Sequence, residues 1–352
     1  MNLKALQQQC AAGEACLVWS PENRRYLTGF PSSDGVLLFT KDTALFFTDS
    51  RYIEAAQNTV TDCDDVVLLT RLRDQLPEAL RRLGAARLLT EAERLTVRDF
   101  RSISDWAGVP CAAEALDERI NALRRRKSAR EKEKICAAQR IAEAAFEEIC
   151  RFLRPGVTER ETALTLDQYM LRAGAEALSF ETIVVSGANG SMPHGVPGDK
   201  KIEPGDFVTL DFGAVVDGYH SDMTRTVAVG TVSDAAAQVY ETVLRAQEAG
   251  LAALAPGVAC KAADAAARDV ITAAGYGDCF GHGTGHGVGV EIHEQPTLNP
   301  RSTQTLAPGD VVTVEPGIYL PGRFGVRIED MAFLTETGAD NLTACPKQLR
   351  VL

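Results

Sequence analysis

The sequence predicts an α/β (α+β) chain of two domains, and three observations carry that expectation. Its 352 residues exceed what one compact domain usually needs. The first ~120 residues alternate short β-branched or aromatic runs with helical stretches, the pattern of an α/β layer. The rest contains an internal repeat. Hydrophobic residues make up 45% and charged residues 24%, which is ordinary for a globular chain and excludes wholesale disorder.

In the N-terminal part the predicted strands are Cys16–Trp19, Gly35–Phe39, Ala44–Thr48, Val66–Thr70 and Arg87–Thr90, with a Lys41-Asp42 turn making a hairpin of the second and third. The region holds no histidine and no catalytic motif. A short basic run, Arg124-Arg125-Arg126-Lys127, reads as a solvated connector. Ser128-Ala129-Arg130-Glu131 then forms a capping box that opens a helix running to about Leu153. The boundary falls within Asn121–Ser128, giving domains 1–124 and 125–352.

Charge and cysteine usage narrow the function classes. Lys+Arg 37 against Asp+Glu 48 leaves a net charge of −11, which argues against a nucleic-acid or anionic-membrane partner. No apolar run reaches the ~18–20 residues of a membrane helix. The N-terminus lacks the uninterrupted apolar stretch of a signal peptide, so a cytoplasmic chain is expected. The nine cysteines are odd in number, scattered and without a C-x-x-C pair, which points to reduced thiols.

The repeat places the candidate chemistry. Leu153-Arg154-Pro155-Gly156-Val157 recurs as Leu254-Ala255-Pro256-Gly257-Val258, and PGDFVTLDFG (204–213) recurs as PGDVVTVEPG (308–317), so that Asp211 falls on Glu315. Two half-domains related by a pseudo-twofold are expected. Phe207–Gly213 and Tyr219–Val229 flank the turn dipeptide Asp217-Gly218. Pairing Val216 with Tyr219 puts Asp211 opposite Thr224, with Asp222 on the same face. In the second copy Val311–Glu315 and Val326–Leu334 flank Pro321-Gly322, and pairing about Gly322 puts Glu315 opposite Glu329. Four converging acids cannot all stay ionised without cations, and two divalent metals resolve the conflict. All five histidines, His194, His220, His282, His286 and His293, lie beyond residue 190, three of them in a glycine-rich segment. Dinucleotide, H-E-x-x-H and G-x-S-x-G fingerprints do not fit.

LDFG…SDMTRT, HGTGHGVGVEIHE, VEPG and GVRIED together resemble the signatures of the pita-bread metallopeptidases, which include methionine aminopeptidase, aminopeptidase P, prolidase and creatinase. The resemblance covers the C-terminal two thirds closely. Residues 1–120 resemble, more loosely, the creatinase/prolidase-type N-terminal domain that methionine aminopeptidase lacks. It implies Asp211, Asp222, His286, Glu315 and Glu329 as ligands of two divalent ions, with Asp222 and Glu329 as bridges and Glu315 also as general base. The four oxygen donors suit Mn²⁺, with Co²⁺ or Zn²⁺ as alternatives. His194 and His293 match histidines of the substrate pocket, and Arg327 matches an arginine behind the ligands. His282 is expected either behind the ligands or in a structural role, His220 in packing or behind the ligands, and Tyr219 and Thr224 as hydrogen-bond partners of the ligands. The implied reaction is hydrolysis of an Xaa-Pro bond in proline-containing peptides by a homodimer, as in aminopeptidase P or prolidase. Arg301 is a candidate reader of a dipeptide carboxylate. The alternatives are a non-catalytic peptide- or protein-binding module, a creatinase-like hydrolase and, more weakly, removal of N-terminal methionine.

Overall fold

The structure, a computed structural model, describes residues 2–113 and 115–352. It divides into two units, Met1–Arg124 and Arg125–Leu352. In the first unit strands β1 (Glu14–Val18), β2 (Val36–Phe39), β3 (Ala44–Thr48), β4 (Asp65–Leu68), β5 (Arg87–Thr90) and β6 (Cys111–Ala112) form one sheet in the order β4-β3-β2-β1-β5-β6. The predicted hairpin joins β2 to β3, closed by Thr40 N–H donating to Thr43 O at 2.8 Å. Strands β1 to β3 are buried at every position, the mark of a sheet covered on both faces. Helices α1 (Asn2–Gln7), α2 (Pro21–Thr28), α3 (Ile53–Thr59), α4 (Leu72–Arg82), α5 (Val97–Ala107) and α6 (Ala115–Arg125) alternate with them. The two-residue strand β6 escapes prediction because it is too short to show a period.

The second unit opens with α7 (Ala129–Phe152), whose capping box is formed on both sides by Ser128 and Glu131. A second box, Thr158 with Glu161, opens α8 (Glu159–Arg172). Leu153 and Val157, buried in the turn between these helices, end one amphipathic face and begin the next. The duplicated turn joins α9 (Asp234–Ala252) to α10 (Cys260–Ala273). The strands that follow are β7 (Ala177–Leu178), β8 (Ile183–Ser186), β9 (Phe207–Phe212), β10 (Ala214–Val216), β11 (Tyr219–His220) and β12 (Met223–Ala228) in the first copy. The second copy has β13 (Gly285–Gly287), β14 (Glu294–Leu298), β15 (Val311–Val314), β16 (Gly317–Leu320), β17 (Phe324–Arg327), β18 (Asp330–Leu334) and β19 (Ala339–Asn341). Pairing runs β12-β9-β8 in one copy and β18-β15-β13 in the other, the same order twice.

Both registers follow the turn arithmetic. Asp211 pairs with Thr224, and the pairs Val314–Asp330 and Gly317–Arg327 bracket Glu315 and Glu329. The expected continuous strands are each interrupted beside an acid, at Gly213, Ser221-Asp222, Glu315-Pro316 and Ile328-Glu329. Two causes are local. A Cβ on Gly213 would lie 1.9 Å from Ser221 O, so the chains close up there, and Pro316 has no N–H for a ladder. The breaks turn the hairpin ends aside while preserving parity.

Arg225 stitches the copies together. It is 1% exposed and donates to the carbonyls of Thr224, Glu329, Cys345 and Pro346 and to Asp330 Oδ1, at 2.6–3.1 Å. Removing the guanidinium strands these acceptors in the interior. Arg225→Ala should therefore cost about 3–5 kcal/mol, read as earlier denaturant-induced loss of hydrogen-exchange protection in β12 and β18. A loss below ~1 kcal/mol, the scale of a surface pair, would contradict the assignment.

Candidate metal centre

Asp211 is the penultimate residue of β9, Asp222 precedes β12, Glu315 follows β15 and Glu329 precedes β18. All four reach one cleft of about 720 Å³, together with His286 from β13. Asp222, His286 and Glu329 present ligand atoms within 4.8 Å of one another. His286 Nε2 lies 3.5 Å from both Asp222 Oδ2 and Glu315 Oε1. The His286 ring is fixed from behind. Its Nδ1–H donates to Gly287 O at 3.1 Å, which leaves the Nε2 lone pair facing the carboxylates.

Burial dominates the electrostatics. It raises the Asp222 and Glu329 carboxyls well above the usual range, and the neighbouring acids push the same way. Glu315 is raised to about 8 by burial, against the pull of Arg327 and with the push of Asp211. Burial, then His293, lowers His286 to about 4, so its imidazole is neutral near pH 7. Among the described residues one cation compensates directly: Arg327 Nη2 meets Asp211 Oδ2 at 2.5 Å. Arg327 Nε also donates to Thr224 Oγ1 at 3.2 Å, and Thr224 donates on to Glu329 Oε2 at 2.7 Å.

Three features fit divalent cations. A neutral imidazole lone pair faces two acids whose ionisation burial opposes and a cation would favour. Asp211 Oδ1 is buried without a hydrogen-bond partner. Four of the acids lining the cleft, Asp211, Asp222, Glu315 and Glu329, act on one another, and Arg327 is the arginine paired with them. A second donor group, Cys10, Glu14 and Cys16, lies in the first unit, but its carboxylate is already held by Arg87 and Arg119.

His194 and His293 line the cleft, and the His293 ring stands edge-on to His286 with centroids 4.4 Å apart. His282 lines it too. Its Nδ1 donates to Gly283 O at 2.8 Å and its Nε2 accepts from Tyr319 OH at 2.8 Å, which fixes the tautomer. Burial lowers its pKa to about 4. Tyr319 in turn accepts from Arg327 Nη1 at 2.9 Å. The expectation for Tyr219 needs correction: its hydroxyl donates to Glu131 on α7 at 2.9 Å. Strand parity explains this, since His220, Asp222 and Thr224 share one face and Tyr219 takes the other. His220 is bonded to Ser179 Oγ at 2.8 Å.

Tyr319 escaped the sequence reading, although it lies on the Glu315 face of its strand. Gly317 makes room for it, because a Cβ there would lie 2.5 Å from the Tyr319 hydroxyl. Asp264 on α10 escaped as well. It accepts from Thr284 N–H at 3.0 Å and from Arg268 at 2.8 and 2.9 Å, and Thr284 O accepts Glu315 N–H at 2.7 Å. No sequence motif marks that contact.

Comparison with known proteins settles the family. Residues 133–336, more than half of the chain, match the model of metallopeptidase family M24. This chain belongs to that family. Residues 3–125 of this M24 chain match the creatinase/prolidase N-terminal domain. An uncharacterized peptidase of Bacillus subtilis is 45% identical over 96% of both chains, and an Xaa-Pro dipeptidase of Pyrococcus horikoshii is 34% identical over 96% of this chain and 94% of its own. Among solved structures, an Xaa-Pro dipeptidase from Bacillus anthracis superposes with a TM-score of 0.96 at 40% identity, covering 100% of this chain and 99% of that one. An X-Pro aminopeptidase from Thermotoga maritima gives 0.91 at 38%, with 96% and 97% covered. No helix of the described residues is long and apolar enough to cross a membrane.

Chelation of this M24 chain should lower its thermal midpoint, and divalent ions should restore it, by about 2.7 kcal/mol at a hundredfold excess over Kd. Metal-free Asp222→Asn should melt above the metal-free parent, because one buried acid is gone, and should lose most of the metal-induced gain. Calorimetry with and without ions reads both. A metal-free variant less stable than its parent would show that crowded charge is not what the ions relieve.

Proposed function

We propose that this protein hydrolyses Xaa-Pro bonds and prefers free dipeptides. The observation that carries the reading is the cleft itself: Asp211, Asp222, His286, Glu315 and Glu329 converge there in a chain whose relatives carry Xaa-Pro dipeptidase and aminopeptidase names. These five side chains would hold two divalent ions, and four carboxylates with one imidazole favour manganese. When bound, such ions supply Lewis acidity to a carbonyl and lower the pKa of an associated water, in favourable cases from ~15.7 to about 7.

The chain's own groups do the rest. Glu315 takes the proton of the attacking water on its carboxylate and returns it to the leaving nitrogen. His194 and His293, on the cleft wall, donate N–H to the carbonyl oxygen as it gains charge. Arg327, Thr224 and Tyr319 hold Asp211 and Glu329 in place. Phe180, Ile183, Val196 and Pro197 give the cleft an apolar wall suited to a proline ring. Proline nitrogen has no N–H in a peptide, so a blunt pocket serves where a hydrogen-bond reader would fail.

The dipeptide preference rests on Arg301. Three arginines line the cleft, and two are committed: Arg268 to Asp264 and Arg327 to Asp211. Arg301 is exposed, and its guanidinium is in no ion pair among the described residues. It is the cation left to meet a free carboxylate.

The Mn²⁺-loaded protein should cleave Xaa-Pro faster than Xaa-Pro-Yaa, and Asp222→Ala should abolish both activities. Equal turnover of Xaa-Ala, or none of any proline substrate, would reject the reading. Arg301→Ala should raise KM for Xaa-Pro about 10- to 100-fold, the scale of a charged hydrogen bond, while leaving Xaa-Pro amide unaffected. Equal losses on the two substrates would remove Arg301 from carboxylate recognition.

A further inference from the structure

We infer that Glu159 is a positioning residue for the cleft, acting through the segment that carries His194; this rests on the peptidase reading above. Glu159 is the first residue of α8 and is fully buried. Its Oε1 accepts from Ser186 N–H at 2.7 Å, Ser186 Oγ at 2.9 Å and Asn189 Nδ2 at 3.1 Å. Its Oε2 accepts from Asn189 Nδ2 at 3.1 Å and Gly198 N–H at 3.2 Å. One carboxylate therefore ties residue 186 to residue 198. The backbone of α8 reinforces the far end, with Glu159 N–H donating to Lys200 O and Arg160 N–H to Gly198 O, both at 3.0 Å.

Between those ties stand His194 on the cleft wall and Pro193, whose carbonyl accepts Arg327 Nη1 at 3.3 Å. The segment is braced elsewhere by close backbone approach, Gly190 to Gly325, and by Ser191 Oγ, which accepts Gly322 N–H at 3.4 Å. Its two large apolar side chains, Met192 and Val196, are 49% and 80% exposed, so burial of apolar surface does not fix its shape. Polar and backbone contacts do, and the Glu159 carboxylate is the one that joins its two ends. Hydrogen bonds to an ionised acceptor are the strong ones, and a buried carboxylate deprived of its donors would be costly, so carboxylate and segment order each other. Glu159 does not line the cleft, and its effect on the reaction passes through His194.

The second repeat carries a matching device. Asp264 on α10 accepts Thr284 N–H and Thr284 Oγ1, at the start of the segment that carries His286. In each copy a buried acid on the helix ahead of the ligand strands secures a histidine-bearing segment.

The test is a double-mutant cycle of Glu159→Gln and His194→Ala on the metal-loaded protein with an Xaa-Pro dipeptide. Glu159→Gln alone should lower kcat about 10- to 100-fold, the scale of a small misplacement in an active site, with metal content unchanged. In the His194→Ala background the same change should cost less than about 3-fold, because coupled residues are not additive. Equal losses in both backgrounds would assign Glu159 a general structural role and overturn the inference. Hydrogen exchange supplies a readout independent of turnover. Amides of Ser186 and Gly198 should exchange at least about 10-fold faster in Glu159→Gln while β9 and β12 stay protected. Unchanged exchange would reject the clamp. Failure of the parent protein to cleave any Xaa-Pro substrate would sink the peptidase reading alone, leaving the exchange data to judge the clamp.

Discussion

Like-charge crowding is the constraint on which the rest of the second unit depends. Asp222 and Glu329 are nearly inaccessible to solvent, and the chain supplies them with one nearby guanidinium. Folding alone cannot favour that arrangement, since burial and mutual repulsion both oppose ionised carboxylates. It persists because the surrounding structure determines it many times over. Paired hairpins set each acid by ladder register, Arg225 locks the strands across the repeat, and Thr224 ties Glu329 to Arg327. The strain of the site is the attraction it offers a cation, and each buried bond behind it keeps that attraction from relaxing.

How much of this was legible in the sequence depended on range. A two-residue turn and strand parity are local, so the pairing of Asp211 with Thr224 could be read directly, and likewise the capping box at Ser128. The repeat carried the same logic to Glu315 and Glu329. Parity tells which face a side chain takes but not what waits there. Tyr219 was therefore assigned to the ligands, when α7 offers it Glu131. Tyr319, Asp264 and Glu159 were missed for the same reason: Arg327, Thr284 and Gly198, the partners that tie them to the cleft, lie 8, 20 and 39 residues away, and no motif spans such contacts. The interruptions beside the acids were also hidden, because Gly213 and Pro316 read equally well as strand ends.

The duplication supplied the carboxylates, and divergence supplied the rest. Ile183 pairs with Asp211, and Thr284 O accepts from Glu315 N–H, so Ile183 and Thr284 are equivalent positions in the two copies. Two residues on, the second copy has His286 where the first has Val185, which is buried. A second imidazole in that place would add a ligand but no charge, since a buried neutral ring cannot help balance four acids. Val185 is instead buried outside the cleft lining, to which the first copy contributes Phe180 and Ile183 as apolar groups. The cleft is thus polarised by descent. The first repeat offers an apolar surface that can take a ring without an N–H, together with His194, and the second offers the imidazoles of His282, His286 and His293. A perfectly symmetric pair of half-domains would hold cations equally well, yet it would have no means of telling the two ends of a peptide apart.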